Sequence, residues 1–356
     1  MPRIWNFVIT GGPSAGKTTG LSVLEQVLTS HGYKVIIIPE TATEVILSGI
    51  SFKDIPTRRF QELIFKRQLN KEDTVRDVLD DFQKDVVILY DRGLMDGKAY
   101  ITEKEFSNIL ARNNYTQNQA LDRYDAVFHL ITAADGAEEF YTLENNKARS
   151  ESAEQARELD MATRSTWLGH RHLRIIDNST DFNGKINKLL EQVFIAMGRP
   201  AQSSEQRKIL VKKPDAILLE KLKSVHVGIE QHYLEKVGDA KRRVRARNIS
   251  GEFTYFFAEI SVTAEGNLVK KERKITPEEY FSLQKNSVSH LKKERYSFFS
   301  GKQYCDLDIY PNSEEAILSV TMDTNEQKIV LPEGFVIIKQ DITTDPTYFN
   351  ENLAHQ

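Results

Sequence analysis

The chain has 356 residues, of which 40% are hydrophobic and 28% charged, and its formal net charge is -3. This composition is typical of a globular chain with room for two cores, and its slightly acidic balance argues against nucleic acid as a partner. No apolar run approaches the roughly 20 residues that a membrane span needs. No secretory signal precedes the first apolar run, and the lone Cys305 excludes an intrachain disulfide. We therefore expect a cytoplasmic protein.

Residues 4–197 alternate short apolar runs with helical patterns. The runs of strand length are IWNFVIT, KVIIIPE, DVVILYD, AVFHLIT and LRIIDN. Continuous apolar runs are typical of parallel strands buried on both faces, and the helical stretches between them predict βαβ crossovers. The pattern predicts an α/β domain with a parallel sheet over residues 1–197.

The first run leads into GGPSAGKTT, which fits G-x-x-x-x-G-K-[ST] between a strand and a helix. In such a P-loop the backbone N–H groups surround phosphate, the lysine reaches the terminal phosphates and the hydroxyl binds Mg²⁺. The pattern predicts that a nucleoside triphosphate with Mg²⁺ binds here. The residues concerned are Gly11, Gly12, Pro13, Ser14, Ala15, Gly16, Lys17, Thr18 and Thr19, with the metal at Thr18.

Two acidic residues end later runs of the same predicted sheet. Asp91 ends DVVILYD, where a carboxylate is placed to bind Mg²⁺, and Arg92 follows it near the transferred phosphate. Glu40 ends KVIIIPE at the same sheet edge, where it is placed to take a proton from an acceptor hydroxyl. Capping of the next helix is the alternative role for either carboxylate.

The end of this half supplies three more candidates. Arg149 lies in a polar helical stretch over residues 144–174, where an arginine would neutralise charge in a transition state. A solvated helix face is the alternative interpretation. Asp177 and Asn178 end the last run and are candidates for reading a base edge. No N-K-x-D follows a strand, so the sequence does not decide between ATP and GTP.

Residues 4–197 resemble the nucleoside-kinase-like P-loop proteins through GGPSAGKTT, PETA, DRG and the R-x-E element that begins at Arg149. The resemblance implies that Glu40 is the acceptor base, that Asp91 binds the metal and that Arg92 contacts phosphate. A small-molecule kinase of the nucleoside type is therefore one functional hypothesis.

The composition changes after the first half. A polar stretch with two prolines predicts a linker at 198–214. Residues 215–356 consist mostly of period-2 segments between Gly and Asn turns, such as VHVGIEQHYL, AKRRVRARN and QYCDLDIYP. This pattern predicts an α+β domain dominated by antiparallel strands.

Alternating arginines lie in the stretch KRRVRAR of the second half. Arg243, Arg245 and Arg247 share one strand face because successive side chains of a strand point to opposite sides. A solvated basic strip and a contact with nucleic acid are the alternatives to an enclosed anion site. Clustered cations are costly to desolvate unless an anion compensates them.

The second half resembles a CYTH domain, the triphosphate tunnel fold, through RRVRAR, KKERYSF, QYCDLDIY and the tail ITTDPTYFNENLA. The resemblance implies a closed antiparallel β-barrel whose lumen binds a polyphosphate or a phosphoinositide headgroup. The residues that it places in the lumen are Glu230, Arg243, Arg245, Arg247, Lys293 and Arg295.

The resemblance to catalytic CYTH members is incomplete. Their E-x-E-x-K signature aligns with Gly228, Glu230 and His232, and a later carboxylate pair aligns with Ser319 and Thr321. One glutamate scarcely holds two metal ions, so the pattern argues against a CYTH-type triphosphatase. A polyphosphate hydrolase stays open as a third hypothesis.

The order of the two halves resembles the TRPL translocation defect protein family, a P-loop domain fused to a degenerate CYTH domain. That resemblance implies binding of GTP and phosphoinositide, a regulatory role in membrane trafficking and peripheral contact with membranes. The residue patterns themselves support binding of ATP or GTP with Mg²⁺ and of a phosphorylated anion, without nucleic acid. They leave open whether the P-loop domain turns nucleotide over or only binds it.

Overall fold

The computed structural model describes residues 2–138, 152–200, 206–322 and 328–354. The chain divides into two compact units, Met1–Val193 and Phe194–Gln356, each with a sheet of its own. Across the described ranges, no helix combines the length and the apolar character that a membrane span needs.

The first unit is built on five parallel strands. They are Ile4–Gly11 (β1), Lys34–Ile38 (β2), Val86–Asp91 (β3), Ala126–Leu130 (β4) and Leu173–Ile176 (β5). Their order in the sheet is β2-β3-β1-β4-β5, and all four neighbouring pairs are parallel. The parallel α/β sheet predicted from the apolar runs is confirmed.

Burial along the strands explains why these runs are so apolar. The three inner strands β1, β3 and β4 are buried along nearly their whole length, whereas the edge strands β2 and β5 are mostly half-buried. A parallel strand covered by helices on both faces has no solvent side, so polar residues are confined to its ends. The polar side chains of interest therefore lie where the strands end.

Helices connect the strands of the first unit. They are Lys17–Ser30 (α1), Thr41–Leu47 (α2), Thr57–Arg76 (α3), Glu103–Arg112 (α4), Gln117–Leu121 (α5), Ala153–Ser165 (α6) and Phe182–Ala196 (α7). Helices α4, α5 and α6 each begin with a capping box, in which the hydroxyl and the N3 side chain bond backbone N–H groups reciprocally. α1 instead begins after Gly16, which provides no side-chain cap for the first turn.

The second unit contains a large antiparallel sheet. Its strands are Gln206–Lys212 (β6), Val225–Val237 (β7), Ala240–Ile249 (β8), Glu252–Val262 (β9), Leu268–Ile275 (β10), Ser287–Ser300 (β11), Gln303–Ile309 (β12), Glu315–Thr321 (β13) and Ile337–Lys339 (β14). Three short helices accompany them in the described residues: Ala216–Lys221 (α8), Pro277–Gln284 (α9) and Asn350–Leu353 (α10).

The strand order of this sheet is β10-β9-β8-β7-β11-β12-β13-β6-β14. The predicted antiparallel domain is present, but the closed CYTH-like barrel is not confirmed. Among the described residues, β10 and β14 stand at the two ends of the order and no pairing joins them.

Two strands had no counterpart in the sequence prediction. β6 lies within the stretch predicted as a linker, because its short apolar centre is surrounded by polar residues. β10, LVKKERKI, is an edge strand of the sheet and carries several charged residues. Lysines on an edge strand disfavour pairing with a strand of another chain. Alternating hydrophobicity does not identify such strands.

The two faces of the sheet differ in chemistry. Alternate residues of β12 and β13, including Cys305, Leu307 and Leu318, pack into one apolar cluster. The residues between them, among them Asp308 and Ser319, are also buried but lie on the opposite face. A charged site is therefore built into the interior of the second unit.

Candidate functional site

The loop between β1 and α1 has a backbone that only certain residues adopt. Gly16 has φ 87° and Ser14 has φ 55°, both in the left-handed region. A Cβ at Gly16 would also lie 2.7 Å from Phe182 Cε2, so conformation and space both favour glycine there. The turn delivers the chain into the uncapped first turn of α1, a backbone site for an anion.

Asp160 on α6 anchors the beginning of this loop. Its Oδ1 accepts hydrogen bonds from the backbone N–H of Gly12 (2.9 Å) and of Thr132 (3.0 Å), and it lies 3.2 Å from His129 Nε2. Burial opposes ionisation of Asp160, but His129 and the donated hydrogen bonds outweigh it and lower the pKa of the carboxyl. Sequence analysis missed this residue because no motif marks it.

Lys17 and Thr18 lie in the first turn of the helix. Lys17 Nζ donates to the backbone oxygens of Gly11 (3.1 Å) and Gly12 (2.9 Å), so the ammonium group folds back over the loop. Thr18 and Thr19 are exposed. The lysine and both hydroxyls predicted to contact phosphate and metal thus belong to one loop and helix start.

Asp91 ends β3, directly beside Ile9 of β1. Its Oδ1 is buried and has no hydrogen-bond partner in the part of the chain that the structure describes. Burial raises the pKa of Asp91, and the Lys17 ammonium opposes that increase. A buried carboxylate oxygen without a partner fits a hard cation such as Mg²⁺, and Thr18 offers a second oxygen.

The described residues contain no cluster of three His, Cys, Asp or Glu side chains suited to a metal ion. Mg²⁺ commonly keeps several waters and uses only one or two protein carboxylates together with phosphate oxygens.

Arg92 and Glu40 form an ion pair at the same sheet edge. Arg92 Nε donates to Glu40 Oε1 (2.6 Å), and Thr43 Oγ1 donates to Glu40 Oε2 (2.6 Å). Burial opposes ionisation of Glu40, but the Arg92 charge and the Thr43 hydroxyl outweigh it and lower its pKa. Glu40 is therefore ionised at neutral pH, with both oxygens engaged.

A buried carboxylate supports Arg92 from the other side. Asp96 Oδ1 lies 3.8 Å from Arg92 Nη1, while Oδ2 accepts the Gly93 N–H at 2.7 Å. Thr10 on β1 donates its hydroxyl to the same carboxylate. Arg92 itself has φ 69°, an uncommon conformation for a side chain of its size. Asp96, which the sequence analysis did not single out, thus links β1 to the arginine.

The two candidates for base recognition are engaged in the fold. Asp177 accepts from Lys188 at 3.0 Å, and Asn178 Nδ2 donates to two backbone carbonyls, those of Thr132 (2.8 Å) and Asp135 (2.7 Å). Asn178 Oδ1 in turn accepts from Lys185, at 2.7 Å. These contacts hold the loop after β5.

Arg149 and its R-x-E element lie outside the described residues. Arg157 of the same predicted stretch is on α6, where its Nη1 donates to the carbonyl of Ala134 at 2.8 Å. This contact attaches α6 to the segment that follows β4.

The second unit contains a pocket of about 150 Å³, which we call the basic pocket. Arg243 and Arg245 of β8 line it together with Lys293 and Arg295 of β11. Arg247 is buried on the same strand face but is not among the lining residues. The other lining residues are Gln206, Lys208, Ile229, Gln231, Asp308, Tyr310, Ile317, Ser319, Tyr348 and Asn350.

Positive charge in the basic pocket is only partly compensated. Asp308 accepts from Lys293 Nζ (2.6 Å) and receives two bonds from Arg295 (2.7 and 2.8 Å), which hold its pKa far below the usual range. Burial lowers the pKa of Lys293 to about 7, and burial with the Arg243 charge lowers that of Arg245 to about 9. Arg243 Nε is buried without a hydrogen-bond partner in the described residues. Five cations line the pocket against one lining carboxylate. Asp306, 2.9 Å from Arg295, and Glu272, 3.9 Å from Arg245, offset part of this charge from outside the lining.

The predicted lumen face of β7 differs from the observed one. Sequence analysis aligned Gly228, Glu230 and His232 with the catalytic signature, but Ile229 and Gln231 line the basic pocket. Glu230 does not line it and instead lies 2.9 Å from His232 Nε2. Because side chains alternate along a strand, an alignment shifted by one residue reverses every assignment.

The strand, glycine loop and helix, with Lys17 and Thr18 at the helix start, define a P-loop nucleotide-binding domain. Comparison with protein families gives a match to the AAA domain model over residues 6–185, about half of the chain. The chain belongs to the AAA domain family. The match concerns the first half, and it confirms neither a CYTH domain nor the TRPL translocation defect family.

Two solved structures are similar to parts of the chain. The PH1819 protein from Pyrococcus horikoshii OT3 is 16% identical, with 34% of this chain and 80% of that one covered at a TM-score of 0.26. The PH1012 protein from the same organism is 15% identical, with 34% and 79% covered at a TM-score of 0.26. A comparison with curated proteins gave no match. At these scores neither structure informs the function of the chain.

Proposed function

We propose that the first unit binds a nucleoside triphosphate with Mg²⁺ and transfers its terminal phosphoryl group to an acceptor or to water. The observation that carries the proposal is that Asp91 ends β3 beside the strand of the P-loop, and that Arg92, the next residue, pairs with Glu40 at 2.6 Å at the same sheet edge. Open parallel sheets bind ligands at this edge. Triphosphate binding needs the loop, whereas phosphoryl transfer needs the charged groups beside it.

The residues divide into roles by their chemistry. Thr18 and Asp91 would hold Mg²⁺, which on binding supplies positive charge to the phosphate oxygens. Lys17 exchanges its two carbonyl partners for phosphate oxygens, which are stronger acceptors. Arg92 is held by Glu40 and Asp96, so its guanidinium is positioned before substrate binds.

Glu40 distinguishes a kinase from a protein that only hydrolyses or binds nucleotide. An ionised carboxylate accepts a proton, so Glu40 is suited to activate an acceptor hydroxyl if substrate displaces Arg92 or Thr43 from its oxygens. In a protein without an acceptor, the same contacts would serve only to position Arg92. The ion pair of Glu40 with Arg92 is compatible with both roles, that of a base and that of a positioning residue.

Phosphoryl transfer to nucleosides and hydrolysis by water should be measured for the wild type, Asp91→Asn and Glu40→Gln. Asp91→Asn should lower turnover by about 100-fold or more, with a much smaller effect on nucleotide affinity, because the metal mainly stabilises charge that develops in the transition state. Glu40→Gln should abolish transfer and spare binding. Glu44→Gln is the matched control, because Glu44 is also a carboxylate on α2 and pairs with Lys71. Equal effects of the two glutamine variants would exclude Glu40 as the base, and absence of any wild-type turnover would leave only binding.

We propose a second function for the basic pocket, the binding of a multiply phosphorylated anion. The supporting observation is the excess of cations that line the pocket, with an Arg243 Nε that lacks a hydrogen-bond partner in the described residues. The anion class includes inorganic polyphosphate and phosphoinositide headgroups, and the latter would bring the chain to a membrane surface in a regulatory role. Hydrolysis in the pocket is not proposed, because its one lining carboxylate is engaged by Lys293 and Arg295.

Binding of tripolyphosphate, and of vesicles with and without phosphoinositide, should be compared for the wild type and for Arg243→Ala combined with Arg245→Ala. The double variant should lose binding of whichever anion the wild type takes and keep Mg²⁺-dependent nucleotide binding. Replacement of the exposed Lys241 and the half-buried Arg242 by alanine removes two charges of the same strand that do not line the pocket. Equal losses in both double variants would indicate a diffuse surface effect instead of a pocket.

A further inference from the structure

Phe182, the first residue of α7, lies against the P-loop. A Cβ at Gly16 would be 2.7 Å from Phe182 Cε2 and 3.2 Å from Cζ, so the ring is in contact with the residue that caps α1. The ring is nevertheless 45% exposed. Burial of the ring in a core therefore does not account for this contact, and a flat apolar surface is left open beside the phosphate-binding turn.

Two polar side chains of the loop before Phe182 are engaged within the fold. Asp177 is paired with Lys188, and Asn178 uses both its amide nitrogen and its oxygen within the fold. A protein discriminates guanine from adenine by hydrogen bonds to the base edges. With these two side chains engaged, the Phe182 ring offers a base a stacking contact, which does not select between adenine and guanine.

We propose that Phe182 stacks on the base of the bound nucleotide and that the site therefore accepts adenine and guanine nucleotides with similar affinity. This inference rests on the proposed nucleotide binding at the P-loop. A base joined through one ribose to phosphates on the turn that begins at Gly16 lies within reach of the ring. Stacking tolerates any base because every base has a π-face.

The inference predicts an effect that separates the base from the phosphates. Phe182→Ala should weaken binding of Mg·ATP and Mg·GTP by about tenfold each, since stacking on an aromatic ring contributes that order of affinity per base. Displacement of labelled ATP by tripolyphosphate, which has no base, should give an unchanged inhibition constant. Displacement reports on the nucleotide site alone, so a second anion site does not disturb it. Phe182→Tyr should bind all three ligands as the wild type does.

The control is Phe281→Ala, which removes a comparably exposed ring (52%) from α9 of the second unit. The inference is overturned if Phe182→Ala weakens tripolyphosphate and ATP equally, because Phe182 would then support the loop and not the base. It is also overturned if Phe182→Ala has no effect, or if the wild type prefers one purine strongly. A wild type that binds no nucleotide would instead overturn the proposed function itself.

Discussion

Replacement of Asp160 by alanine tests how the P-loop is held in place. Its Oδ1 accepts two buried backbone N–H groups, those of Gly12 and Thr132, at 2.9 and 3.0 Å. A buried donor left without a partner costs about 1–3 kcal/mol. Asp160→Ala should therefore lower the free energy of unfolding of the first unit by about 2–6 kcal/mol and weaken nucleotide binding, because Gly12 is then free to move.

Asp160→Asn is the matched variant, because its amide oxygen still accepts both hydrogen bonds. It should cost only about 1–2 kcal/mol, the order expected for loss of a charge with the bonds retained. Because the pKa of Asp160 is lowered, its contribution to the stability of the folded protein is fully present above the unfolded-state pKa of about 3.9. That contribution is lost as the pH falls through the folded-state pKa. Stability of the Asn variant should therefore fall less in acid.

Urea unfolding followed by tryptophan fluorescence is the assay. Both tryptophans, Trp5 and Trp167, lie in the first unit, so the signal reports on that unit alone. Equal stability of Asp160→Ala and Asp160→Asn would show that the two hydrogen bonds do not stabilise the P-loop. A decrease of less than about 1 kcal/mol in the free energy of unfolding of the Ala variant would show the same.

Two further predictions concern the basic pocket. Because the pKa of Lys293 is about 7, free protein loses this charge above neutral pH, and anion binding must then take up a proton. Affinity for tripolyphosphate should fall above pH 7 by up to about tenfold per pH unit, and it should fall less in Lys293→Arg, whose side chain stays charged. Calorimetric titration of both proteins with this anion is the measurement, because the titration of the anion itself affects both equally. Identical pH profiles would exclude Lys293 as the cause of the decrease. Asp308→Ala leaves Lys293 without its carboxylate, whereas Arg295 keeps Asp306 at 2.9 Å; the expected cost is about 3–5 kcal/mol. Tripolyphosphate should raise the melting temperature of this variant more than that of the wild type, and an equal rise would contradict the pairing.

The features that could be predicted from sequence are those that nearby residues encode. The P-loop needs glycines, a lysine and a hydroxyl at fixed spacing, and the sheet needs continuous apolar runs because its strands are covered on both faces. Asp91 and Arg92 follow from the same logic, since the ends of parallel strands meet at one edge. All of these lie at the expected places in the fold.

The features that were missed depend on distant contacts. Asp160 meets Gly12 across 148 positions of sequence, and nothing in its own surroundings marks it. Phe182 looks like any helix residue until it is placed beside Gly16. On β7, the choice of face rested on an alignment that a shift of one residue reverses, so Glu230 was assigned to the pocket in place of Gln231.

The central claim is that Gly11 to Thr19 bind the phosphates of a nucleotide. Titration of Mg·ATP into the wild type, Lys17→Ala and Lys104→Ala tests it most directly, because Lys104 is exposed on α4 and its removal is a matched loss of one charge. We expect Lys104→Ala to bind as the wild type does, and Lys17→Ala to bind about 100-fold more weakly, because a charge-assisted contact is lost in a partly buried site. A folded Lys17→Ala protein with unchanged affinity for Mg·ATP would contradict the account.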